Sequence, residues 1–323
     1  MQREPVLVAG AGALGSVLGG MLARAGWPVT LLGRAVHLDA IHRDGLRIDG
    51  LFGEHCVREC TLVRDAADLG GRYAAILLTV KSWDTTSVVR AVSGHLADDG
   101  VLVCVQNGLG NLEAAAEVIG APRVLGARVI FGSEILAPGR VRVTVYADPV
   151  LVGSPDQADA GRTRAASAWA QRLDAAGVPS RATPTLLAEL WAKVLYNAAL
   201  NPLGALLGVP YGRLAAETAT REIMDAVLDE TFAVATACGV RLAWPDAAAY
   251  RRDFYDRLVP STAGHRSSML QDLERGRPTE IDAINGYVAS RGRRLEMAVP
   301  VNETLTRLIH ARVRCTTAGE TAT

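Results

Sequence analysis

Glu189, Lys193, Asn197 and Asn201 recur at every fourth position of an otherwise apolar stretch, residues 185–202. That spacing stacks side chains along one face of an α-helix. Such a face lining a cleft would offer an ammonium and two amides to a small polar ligand. All three groups are hydrogen-bond donors, which suits a ligand of that kind. A buried amide without partners costs about 1 to 3 kcal/mol, so two in register with a lysine need a reason. The same pattern also describes a solvated face with a Glu189–Lys193 ion pair, a common arrangement on exposed helices. Leu186, Leu187, Leu190, Val194, Leu195, Ala198, Ala199 and Leu200 lie on nearly every side of the cylinder, which predicts a mostly buried helix. Good helix formers run unbroken as far as Pro202.

A second group of residues suits phosphate chemistry. Gly10, Ala11, Gly12, Ala13, Leu14 and Gly15 follow a short apolar run and precede a helical pattern through Leu18, Met21 and Leu22. Strand, glycine turn and helix in that order form the context of a dinucleotide-binding fingerprint. Gly10 makes the turn, Gly12 lets a pyrophosphate approach the backbone, and Gly15 lets helix and strand pack closely. The helix N-terminus adds amide donors and partial positive charge. A second strand over residues 29–32 ends in Gly33-Arg34. A free ribose hydroxyl would call for an acidic residue there, whereas a 2′-phosphate suits a guanidinium, so Arg34 favours NADP(H), unless it is a plain solvated loop residue. Further apolar runs over 74–80 and 101–105 end in Lys81-Ser82-Trp83-Asp84 and Gln106-Asn107-Gly108-Leu109-Gly110. Both ends lie where open α/β sheets bind ligands, so Lys81 could reach cofactor or substrate and Asn107 both. Asn107-Gly108 is equally a strong turn former.

The elements that must position these groups follow from length and pattern. A chain of 323 residues predicts two domains. The first, residues 1–184, is expected to be an α/β Rossmann-like dinucleotide-binding domain. It includes a β excursion over 46–63 and later strands over 124–131, 140–145 and 150–152, the last two read as a hairpin closing the sheet. A helical pattern over 160–176 ends at Gly177-Val178-Pro179. From residue 185 strand patterns stop, and residues 185–315 are expected to form an all-helical domain with amphipathic stretches over 221–238, 246–258 and 301–314. Residues 316–323 are small and polar and are expected to fray. Ser267, Ser268, Thr279 and Glu280 flank a Gly- and Pro-containing loop, placing Ser268 and Glu280 near two helix starts, where all four could also serve as caps.

Lys plus Arg and Asp plus Glu both number 34, so no concentrated basic footprint points to nucleic acid. The five cysteines form no CxxC pair and are odd in number, which fits a reducing, cytoplasmic setting. His55, Cys56 and Cys60 have no second ligand pair at zinc spacing, so no metal is expected. Residues 5–23 carry no acidic or basic residue, yet five glycines there suit a strand and turn rather than a membrane span.

Five segments in order, GAGALG at 10–15, KSWDT at 81–85, QNGLG at 106–110, the helix with Lys193, Asn197 and Asn201-Pro202, and SSMLQD with GRPTEID, resemble the ketopantoate reductases. These are NADPH-dependent enzymes of pantothenate biosynthesis with a helical second domain. The resemblance implies Lys193 as general acid and Glu280 as its assistant. It implies Asn107, Asn197, Asn201 and Ser268 around a 2-keto acid, and the glycine turn, Arg34, Lys81, Asn107 and Gly132 at NADPH/NADP+. It further implies a small-molecule keto-acid partner, a possible homodimer, and domain closure that excludes water. Tyr211 and the bulky, basic stretch 126–132, expected as a loop near the nicotinamide, depart from the family pattern and leave the keto substrate open. Two other readings remain: the same machinery on a different keto acid, and a non-catalytic NADP(H) sensor.

Overall fold

In a computed structural model the described residues are 3–319, with side chains described to Cys315. The backbone separates into two compact units. One holds the residues up to Asn107 together with Asn111–Leu186; the other holds Gly108–Gly110 and the residues from Leu187 onward.

The first unit is a mixed sheet with helices. In chain order it contains β1 (Val6–Ala9), α1 (Ala13–Arg24), β2 (Val29–Leu32), α2 (Ala35–Asp44), β3 (Leu46–Gly50), β4 (His55–Val57) and β5 (Cys60–Val63). Then come β6 (Tyr73–Leu78), α3 (Thr85–Val92), β7 (Leu96–Cys104), α4 (Asn111–Ile119), β8 (Val124–Ala137), β9 (Arg140–Gly153), α5 (Ala160–Ala175) and β10 (Ser180–Ala182). Strands β5, β2, β1, β6, β7 and β8 lie side by side in that order and all run parallel. This is the doubly wound dinucleotide-binding arrangement. The reversal of order falls between β1 and β6, whose carboxyl ends lead into Gly10 and Lys81. Apolar strands buried on both faces explain the continuous runs: Val6, Leu7, Val8 and Ala9 are wholly buried, as are Ala75, Ile76 and Leu78.

Three local expectations change. Residues 60–63, read as part of a β excursion, form β5 and extend the parallel core beside β2. Residues 140–145 and 150–152 are not two strands but parts of one, β9, which pairs antiparallel with β8 through several register shifts. Those irregularities let a Pro149-containing segment stay in the strand, and the turn of the hairpin is at Gly139, with φ +76. The stretch 126–132 lies wholly in β8, in line with the strand read over 124–131 and against the loop expected near the nicotinamide, and Gly132 stands opposite Val145. Its basic residue, Arg128, is buried and ion-paired with Asp148 across the hairpin.

The second unit is helical: α6 (Leu186–Leu207, its first residue in the other unit), α7 (Tyr211–Ala216), α8 (Thr218–Ala237), α9 (Ala247–Asp253), α10 (Ser268–Glu274), α11 (Asn285–Arg294) and α12 (Pro300–Gly319). Helix α12 thus runs past residue 316, where fraying was expected, and residues 320–323 lie outside the described residues. Leu195, Ala198, Met224, Val227, Tyr250, Phe254, Val288 and Ile309 form its buried interior.

Helix α6 does not stop at Pro202 but carries it inside for a further turn. Proline has no N–H for the carbonyl four residues back, a defect of about 3 kcal/mol in a helix interior. Here that carbonyl, Ala198 O, accepts instead from Asn285 Nδ2 at 3.1 Å. Asn285 is wholly buried and also donates from Nδ2 to Asn302 Oδ1 at 3.0 Å. Asn302 Nδ2 donates to Glu230 Oε2 at 2.8 Å, and the Glu230 carboxylate accepts the backbone N–H groups of Val301 and Asn302, both at 2.9 Å. One polar chain thus ties α8, α12 and α11 to the break in α6. A sequence pattern that ends helices at proline misses this repair, because the repairing residue is distant in sequence.

Among the described residues no helix is long and apolar enough to cross a membrane, and no cluster of three or more His, Cys, Asp or Glu could hold a metal.

Candidate active site

The turn after β1 gives each glycine a different job. Gly10 has φ +112, which an L side chain rarely adopts, and Thr79 Oγ1 donates to its carbonyl at 2.7 Å. Gly15 is buried inside α1, where a Cβ would collide with Gly10 O and come within 2.6 Å of Thr79 Oγ1. Gly12 is the N-cap of α1 with an ordinary φ of −81, is exposed, and has nothing within 4 Å of where a Cβ would stand. Open space at a helix N-terminus is the feature a pyrophosphate needs, so the residues present fit a dinucleotide. Ala11 is buried and its backbone N–H donates to Leu32 O at 2.8 Å; Ala13 and Leu14 form the first turn of α1. At the end of β2, Gly33 packs so closely on Ala11 that a Cβ would lie 2.6 Å from the Ala11 Cβ. Arg34 follows as the exposed N-cap of α2. His37, one turn on, is buried between Ser16 Oγ at 3.0 Å and the Gly139 N–H at 3.1 Å, and burial lowers its pKa.

Lys81 and Asn107 follow β6 and β7, and the two segments are fastened to each other. Ser82 Oγ donates to Asn107 O at 3.1 Å, and Asn111 Nδ2 donates to the same oxygen at 3.2 Å. Gln106 Nε2 donates to Thr85 Oγ1 at 2.7 Å, which in turn donates to Asn111 Oδ1 at 2.8 Å. This backbone order makes Asn107-Gly108 more than an isolated turn. Gly108, with φ +81, belongs to the second unit, where Leu109 N donates to Ala283 O at 2.8 Å. Gly132 sits apart from the turn, in β8.

In the second unit the stripe on α6 sinks inward. Glu189 and Lys193 are half-buried, whereas Asn197 is 8% and Asn201 3% exposed, which rules out a simple solvated face. Asn201 is held at two points. Its Oδ1 accepts from Tyr211 Oη at 2.6 Å, and its backbone carbonyl accepts from Ser267 Oγ at 3.3 Å. Ser267, not Ser268, caps α10, accepting from Leu270 N at 3.0 Å; Ser268 is the exposed first residue of that helix. Glu280 is half-buried and precedes the turn Ile281–Ala283 without making a side-chain cap bond to it, while Thr279 is buried. The Tyr211 ring lies 5.3 Å from the His265 ring and 5.9 Å edge-on from Tyr196. Burial raises the Tyr211 hydroxyl well above its ordinary pKa, raises Tyr196 to about 12, and lowers His265. The Tyr211 hydroxyl therefore keeps its proton and donates.

Reasoning from sequence singled out the amides but not what fixes them. Tyr211 entered only as a departure, Ser267 only as a cap, and Asn285 not at all. The one signal for Asn285 was Pro202, which had to leave a carbonyl without its helical partner.

Residues 6–157 match the family described as ketopantoate reductase PanE/ApbA, and residues 185–313 match its C-terminal part. The chain is 35% identical over 310 residues to a 2-dehydropantoate 2-reductase of Aquifex aeolicus, covering 95% of this chain and 96% of that one. A PanE/ApbA family ketopantoate reductase from Ralstonia eutropha JMP134 superimposes with a TM-score of 0.85 at 33% identity, covering 97% of this chain and 99% of the other. A D-mandelate dehydrogenase solved with NADH and anilino(oxo)acetate also reaches a TM-score of 0.85, at 24% identity over 96% of this chain and 99% of the other, a likeness of fold alone. With both halves matched and the glycine turn and amide stripe in place, this chain is an oxidoreductase of the ketopantoate reductase family.

Proposed function

We propose that this protein reduces 2-dehydropantoate to pantoate with NADPH, Lys193 acting as general acid and Glu280 assisting it. The observation that carries the reading is the half-buried Lys193 in register with two buried amides, Asn197 and Asn201. When bound, the reduced nicotinamide supplies a hydride to the keto carbon. The Lys193 ammonium gives its proton to the ketone oxygen as negative charge develops there, and Glu280 orients that ammonium. Asn107, Asn197, Asn201 and Ser268 hold the substrate through neutral donors. Gly10, Ala11, Gly12, Ala13, Leu14 and Gly15 receive the pyrophosphate, Arg34 the 2′-phosphate, and Lys81, Asn107 and Gly132 complete the cofactor contacts. The expected setting is a reducing cytoplasm, the five cysteines being odd in number and without a CxxC pair. A different 2-keto acid is the second reading, favoured by the bulk of Tyr211 beside Asn201.

The test is Lys193→Ala, assayed by NADPH absorbance with 2-dehydropantoate and by NADPH fluorescence for binding. Loss of a general acid should lower kcat by about 100- to 10,000-fold with cofactor affinity unchanged. A variant that keeps kcat within about threefold of the parent removes Lys193 from the chemistry.

A further inference from the structure

We infer that Tyr211 is a specificity-determining residue: by holding Asn201 Oδ1, it turns the Asn201 amide into a group that only donates, and so selects a carboxylate over a neutral carboxamide. The inference rests on the reading of Asn201 as a substrate residue.

A free asparagine is ambivalent, because rotating its amide by half a turn exchanges an acceptor for two donors. Asn201 lacks that freedom. Its Oδ1 accepts from Tyr211 Oη at 2.6 Å, with Asn201 3% and Tyr211 2% exposed. A flipped amide would present N–H to a phenol whose own proton would then need another buried acceptor. The phenol cannot shed that proton near neutral pH, since burial holds its pKa far above the ordinary value. Nor can the ring swing away easily. It packs between His265 and the edge of Tyr196, the Tyr196 hydroxyl is itself bonded to Thr262 Oγ1, and the Tyr211 N–H donates to His265 O at 3.1 Å. Ser267 Oγ pins the Asn201 backbone from the other side. What remains is Nδ2 with its two N–H groups. Their matching ligand group is one that only accepts, such as an ionised carboxylate, and a carboxamide NH2 would meet donors.

The experiment compares a 2-keto acid with the corresponding 2-keto primary amide, using NADPH oxidation by the parent protein and by Tyr211→Phe. Phenylalanine keeps the ring packing and removes only the hydroxyl. The parent should favour the acid strongly. In Tyr211→Phe the amide of Asn201 can turn, so KM for the acid should rise about tenfold with kcat within about threefold, and acid-over-amide preference in kcat/KM should fall about tenfold or more. A purely structural role would lower the melting temperature and leave that preference untouched, which overturns the inference. Asn201→Asp gives a second arm. It retains an acceptor for Tyr211 but replaces the donors with carboxylate oxygen, so the acid should lose far more kcat/KM than the amide; equal losses overturn the inference. If the parent turns over no 2-keto acid at all, the functional reading falls and the inference with it. A parent active on the acid whose two variants keep the original preference overturns the inference alone.

Discussion

At the scale of single residues the glycine turn shows how one residue type serves opposed ends. Gly15 is a glycine because its neighbours leave no room, and Gly12 is one although its own surroundings are empty. Gly12→Ala should therefore fold with a melting temperature close to that of the parent, its φ of −81 being open to alanine, yet bind NADPH about tenfold or more weakly. Gly15→Ala should instead lower the melting temperature by several degrees, because overpacking against Gly10 O and Thr79 costs about 1 to 3 kcal/mol. Thermal unfolding and fluorescence titration separate the two, and a Gly12→Ala protein that binds NADPH normally would remove the turn from the cofactor site. The turn at Gly10 and the close packing of Gly15 were legible in the sequence because strand, turn and helix are contiguous there. The hold of Tyr211 on Asn201 was not, since nothing in a string of residues says which way an amide faces.

At the scale of elements, α6 is the clearest lesson. Its apolar circumference and fourfold polar stripe predicted a buried helix with one chemical face, and the strand ends carrying Lys81 and Asn107 were equally readable from their apolar runs. Its passage through Pro202 was not readable, because the compensation comes from Asn285 on a helix more than eighty residues away. A double-mutant cycle in urea tests that compensation. Asn285→Ala should destabilise the protein by about 1 to 3 kcal/mol, leaving Ala198 O and Asn302 Oδ1 without this donor. In a Pro202→Ala background the helix supplies its own N–H to Ala198 O, so the same substitution should cost about 1 kcal/mol less. Strict additivity would show that Asn285 does not repair the proline. The β8–β9 hairpin shows the opposite failure. Pro149 and the register shifts interrupt the alternation of β9, so one long strand reads in sequence as two short ones.

At the scale of the whole molecule, an α/β part followed by a helical part was visible from the change in periodicity, and the last described strand is β10, with helices alone from α6 onward. What periodicity could not reveal is that Gly108–Gly110 joins the helical unit, for that depends on Gly108 lying against Ala283 with no room for a side chain. Each unit, taken by itself, presents one part of the proposed chemistry: the first an open helix terminus at Gly12, the second a half-buried amine in register with two buried amides. The most direct measurement is NADPH oxidation by the purified protein across a panel of 2-keto acids that includes 2-dehydropantoate, with NADH in parallel. If Arg34 receives a 2′-phosphate, as proposed, 2-dehydropantoate should turn over rapidly with NADPH and more slowly with NADH. No oxidation of either cofactor above the protein-free rate with any member of the panel would contradict the proposed function.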